Sequence, residues 1–257
     1  MQISREEIVY GRQPVHEAMR AGRRRVLMLF LKETAKPSPD LEAIVRTAEK
    51  AKVPVKRVDD RDLLRMTEGG HHQGIAARVS SYPYVPFEEL LQAIKAGGEP
   101  PLILIVDHIQ DPQNLGSILR TAEAAGVTGV ILPADRAAAV TPAAVRASAG
   151  AAEHVRVAEV TNLVRTMKTL KDEGLWVAGL ESMPDATPYT EADLKGPLGL
   201  VVGSEGEGLK RLVREHCDFL IRLPLHGKIT SLNAGAACAI ALYEVRRQRG
   251  MQQGGKR

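Results

Sequence analysis

The chain has 257 residues, 44% of them hydrophobic, enough to bury a full core in one large or two ordinary domains. Its apolar runs are strand-sized and broken by Pro, Gly or charge, and the start, MQISREEIVYGRQ, lacks the apolar stretch of a secretion signal, so a cytoplasmic protein with no membrane span is expected. Two cysteines, Cys217 and Cys238, are too few for a disulfide framework or a cysteine-built metal site, and buried thiols are expected instead.

The net charge of +4 conceals an uneven distribution. Residues 1–80 carry 16 Lys/Arg against 11 Asp/Glu, residues 81–245 carry 14 against 20, and residues 246–257 carry five against none. Positive charge therefore sits at the front and in the tail. A patch of Arg23, Arg24 and Arg25 with Lys52, Lys56, Arg57 and Arg61 would favour a polyanion through phosphate neutralisation, a solvated face being the competing reading.

Residues 1–80 read as a small α/β unit. A helix over 10–19 has Pro14 near its first turn, and a strand follows over 26–31. An amphipathic helix over 41–51 carries Leu41, Ile44, Val45 and Ala48 at helical spacing; strands over 53–58 and 75–79 then flank a short helix over 61–66. Between these last two lies Gly69-Gly70-His71-His72-Gln73-Gly74. With no third ligand at a sensible spacing, the paired histidines read as a flexible polar loop able to contact RNA rather than a metal site. Residues 81–100, punctuated by Pro83, Pro86, Gly97, Gly98, Pro100 and Pro101 around a helix over 87–95, read as a linker.

The back half, 101–250, opens on 102–106, an apolar run expected to be a central strand buried on both faces. A polar loop over 107–116 leads to a helix over 117–125, and a strand is expected over 129–132. Asn114 and Arg120 then belong to a loop and helix at the carboxyl end of a strand, where open α/β sheets place their sites. For Arg120 alone, a surface ion pair is the default reading. Residues 134–160, small and with Pro142 and repeated Ala, read as a mobile stretch; a helix over 163–173 and strands over 175–180 and 198–202 follow.

The loop Gly203-Ser204-Glu205-Gly206-Glu207-Gly208 places glycines where backbone turns sharply and lies close to a ligand. It is neither a Walker loop nor a dinucleotide fingerprint, and Glu205 and Glu207 disfavour a polyphosphate, so a cationic or neutral ligand is expected. A helix beginning near Leu209 would leave Glu205 as its capping carboxylate. A strand over 219–223 leads to a second loop, in which Ser231 reads as the N-cap of a helix and Asn233 as a residue of its first turn. The basic tail, 251–257, is expected to be disordered at its Gln/Gly end.

Three segments carry a family resemblance: Asp111-Pro112-x-Asn114-x-Gly116-x-Ile118-x-Arg120-x-Ala122, then Gly203-Ser204-Glu205-Gly206-x-Gly208-Leu209, then Leu223-Pro224-x-x-Gly227-x-x-x-Ser231-Leu232-Asn233. In this order and spacing they resemble the motifs of the SpoU/TrmH (SPOUT) family of RNA ribose 2′-O-methyltransferases. Tyr10-Gly11-x-x-x-Val15 and His72-Gln73-Gly74-Ile75-Ala76-Ala77-Arg78-Val79 are similar to the substrate-binding domain of its large-subunit rRNA guanosine methyltransferases. The resemblance covers nearly the whole chain. After Asn233 the run Ala234-Gly235-Ala236-Ala237 departs from the family's Val-Ser-Val-Ala, removing a hydroxyl but keeping the side chains small.

The resemblance implies an α/β protein with an N-terminal L30e-like RNA-binding domain and a C-terminal parallel-sheet SPOUT domain tied in a deep trefoil knot. It implies S-adenosylmethionine as cofactor, ribosomal RNA as partner and a homodimer with the site at its interface; the lack of ligands at metal spacing noted above leaves no metal expected. By motif match Gly203, Leu223 and Leu232 would bind the cofactor, while Asn114, Arg120, Glu205, Ser231 and Asn233 would line the reaction centre. A tRNA substrate, a non-catalytic RNA-binding protein and an enzyme with a nucleotide phosphate cofactor are the alternatives.

Overall fold

The computed structural model describes residues 6–250, so the tail at 251–257 lies outside the described residues. In chain order the elements are β1 (Glu6–Tyr10), α1 (Arg12–Ala21), β2 (Val26–Lys32), α2 (Pro39–Lys50), β3 (Val55–Val58), α3 (Asp60–Met66), β4 (Ile75–Ser80), α4 (Phe87–Ala96), β5 (Leu102–Val106), α5 (Pro112–Ala124), β6 (Gly129–Pro133), α6 (Pro142–Ala147), β7 (Val157–Val160), α7 (Leu163–Asp172), β8 (Trp176–Leu180), β9 (Thr187–Pro188), β10 (Leu198–Val202), α8 (Arg211–Glu215), β11 (Phe219–Arg222) and α9 (Ala234–Gly250). No described helix is long and apolar enough to cross a membrane.

The described residues divide into two compact units, one of residues 6–83 with 140–154 and one of 84–139 with 155–250. In the first, four strands are ordered β1-β4-β2-β3, with β2 and β3 parallel and the other pairs antiparallel. Alternation along β2 sends Phe30 to one face, against Val58, Leu63 and Ala76, and the buried Leu29 and Leu31 to the other. The segment 140–154, without periodicity in the sequence, holds α6 beside β1 and a 3-10 turn at Ala151–Glu153 beside α1. Thr141 caps α6 and Pro142 occupies its first turn, a local start signal that the sequence reading passed over.

The arginine patch expected at the front is partly consumed by the fold. Arg24 is buried: its Nη2 meets Glu153 at 2.7 Å, its Nε bridges both Glu153 oxygens, its Nη1 meets Glu7 at 2.8 Å, and its guanidinium lies 5.3 Å from the centre of the Tyr82 ring. Arg23 donates to the carbonyls of Pro83 and Glu153. Arg25, Lys52, Lys56, Arg57 and Arg61 remain exposed.

The front motifs explain each other. Gly11 has φ +91°, the Arg12 amide donates to Gln73 Oε1 at 3.0 Å, and a Cβ on Gly70 would stand 2.6 Å from the Tyr10 ring. The loop is therefore packed rather than free: His72 is buried, and its Nδ1 accepts the Gly74 amide at 3.0 Å. Burial pushes the His72 imidazole below its ordinary value of 6.5, outweighing the Asp60 carboxylate 3.6 Å away. A group depressed in the folded state binds its proton more readily when unfolded, so its contribution is complete above about pH 6.5 and declines as pH falls. Thermal melts between pH 8 and 5 should show a fall in Tm below that point which His72→Gln reduces; an unchanged slope in the variant would refute this.

The second unit is built on a seven-stranded parallel sheet in the order β7-β6-β5-β10-β8-β11-β9. All five residues of β5 and of β10 are buried, as expected for parallel strands covered on both faces. The stretch after residue 84 is not a spacer: Leu90 and Ile94 of α4 lie in the core with Ile103, Ile131, Val177 and Val201. The basic residues before the tail are likewise structural. Arg249 is buried on the carbonyls of Pro100, Pro101 and Gly196, and burial pushes its guanidinium down to about 10. Helix α9 packs on α5, where Gly235 leaves no room for a side chain, since a Cβ there would lie 2.7 Å from Ser117 Oγ. Cys238, on the same helix, is buried, and burial raises its thiol to about 12.

Candidate active site

Parallel strands end together, and the carboxyl ends of β5, β8, β10 and β11 deliver four segments to one edge of the sheet. After β10 comes the glycine loop. Its closure explains its composition: the Gly208 amide donates to the Ser204 carbonyl at 3.0 Å, and a Cβ on the buried Gly203 would lie 2.2 Å from the Gly208 carbonyl oxygen. Gly206 and Gly208 have φ of +82° and +64°. The loop thus needs Gly203 for its own contact with itself, which the sequence reading had assigned to ligand approach.

Two carboxylates that the motifs did not single out hold the loop in place. Glu181, just after β8, accepts the Leu209 amide at 2.8 Å; Asp107, buried just after β5, accepts the Lys210 amide at 2.7 Å. An acidic residue directly after a buried apolar strand was the available signal. Helix α8 begins only at Arg211, so Glu205 does not cap it. Glu205 instead accepts the Ala234 amide at 3.1 Å and the Asn233 side-chain amide, at the start of α9.

The two flanking helices also start differently from expectation. α5 begins at Pro112, capped by Asp111, whose carboxylate accepts the amides of Gln113 and Asn114, so Asn114 sits in the first turn of a helix rather than in a loop. Helix α9 begins at Ala234, and Asn233, not Ser231, caps it by accepting the Ala236 amide at 3.2 Å. The remaining Nδ2 of Asn233 donates to Asn114 Oδ1 at 2.8 Å and to Glu205 Oε1. One amide side chain therefore joins residues 119 and 28 positions away in sequence.

Around this junction lie two clefts. One, of about 310 Å³, is walled by Leu180, Val202, Leu223, Leu225 and Leu232 together with the glycine loop, Ser231 and the carboxylates of Glu181 and Glu205. Gly203, Leu223 and Leu232 line it together. Its size and apolar lining suit a small organic ligand, and its carboxylates suit one carrying positive charge. The second, polar cleft, of about 630 Å³, is lined by His108, Asn114, Arg136, Lys210 and Glu207, and shares Ser204 and Glu205 with the first. Lys210 is hydrogen-bonded to Glu207 and holds that carboxyl below its usual range. Arg120, on α5, is exposed and lines neither cleft.

Comparison with known proteins gives one consistent result. Residues 101–243 match the model of the SpoU rRNA Methylase family, and residues 8–85 match RNA 2′-O ribose methyltransferase substrate binding. The chain is 40% identical over 243 residues to the putative TrmH family tRNA/rRNA methyltransferase YacO of Bacillus subtilis, covering 95% of this chain and 96% of the relative. It is 41% identical over 250 residues to the 23S rRNA (guanosine-2′-O-)-methyltransferase RlmB of Pseudomonas putida, covering 96% and 98%. Among solved structures, the SpoU methyltransferase AviRb of Streptomyces viridochromogenes, in complex with AdoMet, superimposes with a TM-score of 0.79 at 26% identity, covering 96% of this chain and 91% of that one.

Proposed function

The chain belongs to the SpoU rRNA methylase family, and on that premise we propose that it transfers a methyl group from S-adenosylmethionine to the 2′-oxygen of a guanosine ribose in 23S ribosomal RNA. The observation that carries this reading is the Asn233 amide, which ties Asn114, Glu205 and the start of α9 together at the mouth of the apolar cleft. A protein that only bound RNA would have no use for that junction beside a closed glycine loop.

S-adenosylmethionine, when bound, supplies an electrophilic methyl carbon on a sulfonium. Gly203, Leu223 and Leu232 hold it in the apolar cleft, and Glu205 and Glu181 in the lining complement its positive charge. Glu205, which lines both clefts, stands between the cofactor and the polar cleft that receives the ribose; Asn114 lines the polar side, and the Asn233 amide joins the two. Ser231 lies on the exposed rim, where its hydroxyl orients the incoming nucleotide. Positioning of this kind is the main lever in a displacement between two bound partners.

Arg120 holds the phosphate next to the target ribose. Its exposure outside both clefts favours a homodimer in which the Arg120 of one copy serves the cleft of the other, and exposed Ile240 and Tyr243 on α9 offer an apolar surface for that contact. The trefoil knot belongs to the same proposal: β10 enters between β5 and β8 and α9 returns against α5, a path that a threaded C-terminal segment would take. Arg120→Lys keeps the charge but loses the planar fork, so methyl transfer should fall at least about tenfold with cofactor affinity within twofold of wild type. Unchanged turnover would discard this role.

The substrate is tested by incubating the protein with methyl-labelled S-adenosylmethionine and either 23S rRNA or tRNA, then mapping 2′-O-methyl sites in a strain lacking the gene. Label in a 23S guanosine, and loss of that mark in the strain, is expected. Label confined to tRNA would move the target while leaving the chemistry intact; no label in either RNA would overturn the reading.

A further inference from the structure

Methylation of a ribose hydroxyl needs a proton acceptor, and Arg120 is unsuited because a guanidinium stays protonated in proteins. We propose that His108 is that acceptor, its imidazole held by the Asp107 carboxylate and presented to the polar cleft. The inference rests on the ribose-methylation reading above.

Asp107 follows the last residue of the central strand β5 and is fully buried. One of its oxygens accepts the Lys210 amide at 2.7 Å, and the other is hydrogen-bonded to His108 Nδ1. Occupying Nδ1–H in this way selects the tautomer whose Nε2 is a bare acceptor, as the carboxylate does in a catalytic triad. The His108 backbone is left-handed, with φ +56°, a region that costs a non-glycine residue energy and is concentrated at functional sites. Its neighbours fix it there: the Asp107 amide donates to the Val202 carbonyl at 2.8 Å, and the Ile109 carbonyl accepts the Ala138 amide at 2.7 Å.

The imidazole has access to the place where it is needed. The His108 side chain is 25% exposed and lines the polar cleft with Asn114, Ser204 and Glu205, the last two of which also line the cofactor cleft. The charged groups around that cleft are Asp107, Asp111, Glu205 and Glu207 against Arg136 and Lys210. Lys210 and Glu207 pair with each other, which leaves Asp107, Asp111 and Glu205 facing Arg136.

In the step assigned to His108, the O–H bond of the 2′-hydroxyl breaks and an N–H bond forms at Nε2. The electron pair left on oxygen makes the new bond to the methyl carbon, while the carbon–sulfur pair stays on sulfur. The imidazolium, facing the open cleft, returns its proton to water.

The test is His108→Asn in the full chain. Asparagine tolerates the left-handed backbone and its amide can donate to Asp107, but it cannot take a proton. Single-turnover methyl transfer to 23S rRNA should fall about a hundredfold or more. The acid limb of the wild-type pH–rate profile should disappear, with S-adenosylmethionine affinity by calorimetry and Tm unchanged. His108→Gly, which relieves the backbone, should lose rate to the same extent. An NMR titration of the wild-type imidazole with S-adenosylhomocysteine present should give an ionisation at the pH of the kinetic limb. Wild-type rate or a retained acid limb in either variant, or an imidazole titrating away from that limb, overturns the proposal while the methylation reading stands. Absence of label from the wild-type protein overturns both.

Discussion

Gly203→Ala is expected to remove measurable S-adenosylmethionine binding and to lower methyl transfer at least about a hundredfold, the scale of loss that a displacement of about 1 Å in a reacting geometry brings. The added Cβ would stand 2.2 Å from the Gly208 carbonyl oxygen and 2.7 Å from the Leu209 nitrogen, so backbone must move. It cannot move freely. Glu181 holds the Leu209 amide and Asp107 holds the Lys210 amide, while β10 pins the other end between β5 and β8. The displacement therefore goes into the loop itself, which carries Glu205 away from Asn233 and opens the cleft wall. Gly206→Ala is the control: its φ is +82° but nothing stands within 4 Å of the added carbon, so only backbone strain of roughly 1–2 kcal/mol is added. Calorimetry with S-adenosylmethionine on both variants decides the matter, and near-native affinity in Gly203→Ala would show that the loop yields.

Glu153→Ala should destabilise the protein by roughly 3–5 kcal/mol, the cost of leaving a buried charge without its partner. The Arg24 guanidinium is enclosed, with Nε and Nη2 both on Glu153 and only Nη1 reaching Glu7 and the Ser80 carbonyl. Tyr82 lies against the same guanidinium, and its hydroxyl donates to the Ala152 carbonyl at 2.7 Å; burial raises that phenol well above its usual range. Removing the carboxylate leaves Nε and Nη2 of the buried Arg24 without their acceptor, with Glu7 and the Ser80 carbonyl on Nη1 alone, and loosens 140–154 from the front unit. Each kcal/mol corresponds to about 2–4 °C in Tm for a chain of this size, so a fall on the order of ten degrees is expected. The double variant Arg24→Met with Glu153→Leu should recover most of it, because both fully enclosed charges are gone and Glu7, which loses its ion pair, is partly exposed and keeps the Tyr82 amide. Denaturant titration of the three proteins measures this directly; a single variant as stable as wild type would mean that water reaches Arg24.

The candidate site was legible in part. Asn114, Glu205 and Asn233 could be named from their motifs, and their side chains meet. Which of them caps which helix was not legible. Ser231 and Asn233 are both good caps, and Glu205 stands at a plausible distance before a helix; the choice is made by the closed glycine loop, which points Glu205 at α9 instead of α8. Beyond an acidic residue that directly follows an apolar strand, Glu181, Asp107 and His108 carry no local pattern. Their importance comes from bonds to residues 28 and 103 positions away, or from a backbone angle, and neither leaves a trace in spacing.

The sequence by itself determined the elements whose signals are local. The apolar runs of β5 and β10, the periodic faces of α2 and α7, and the order of the three motifs each state their structure within a few residues, because period and turn chemistry act over one or two turns of chain. β1, β7, β9 and α6 escaped, since they are two to six residues long and lack the uninterrupted apolar run that marks β5 and β10. Only the tertiary structure decided that 140–154 packs with the front unit, that two of the three consecutive arginines bond to its Glu153, and that a left-handed histidine faces the polar cleft. Burial and pairing between distant residues settle such questions, because the energy of a charge depends on what surrounds it after folding and not on its neighbours in the chain.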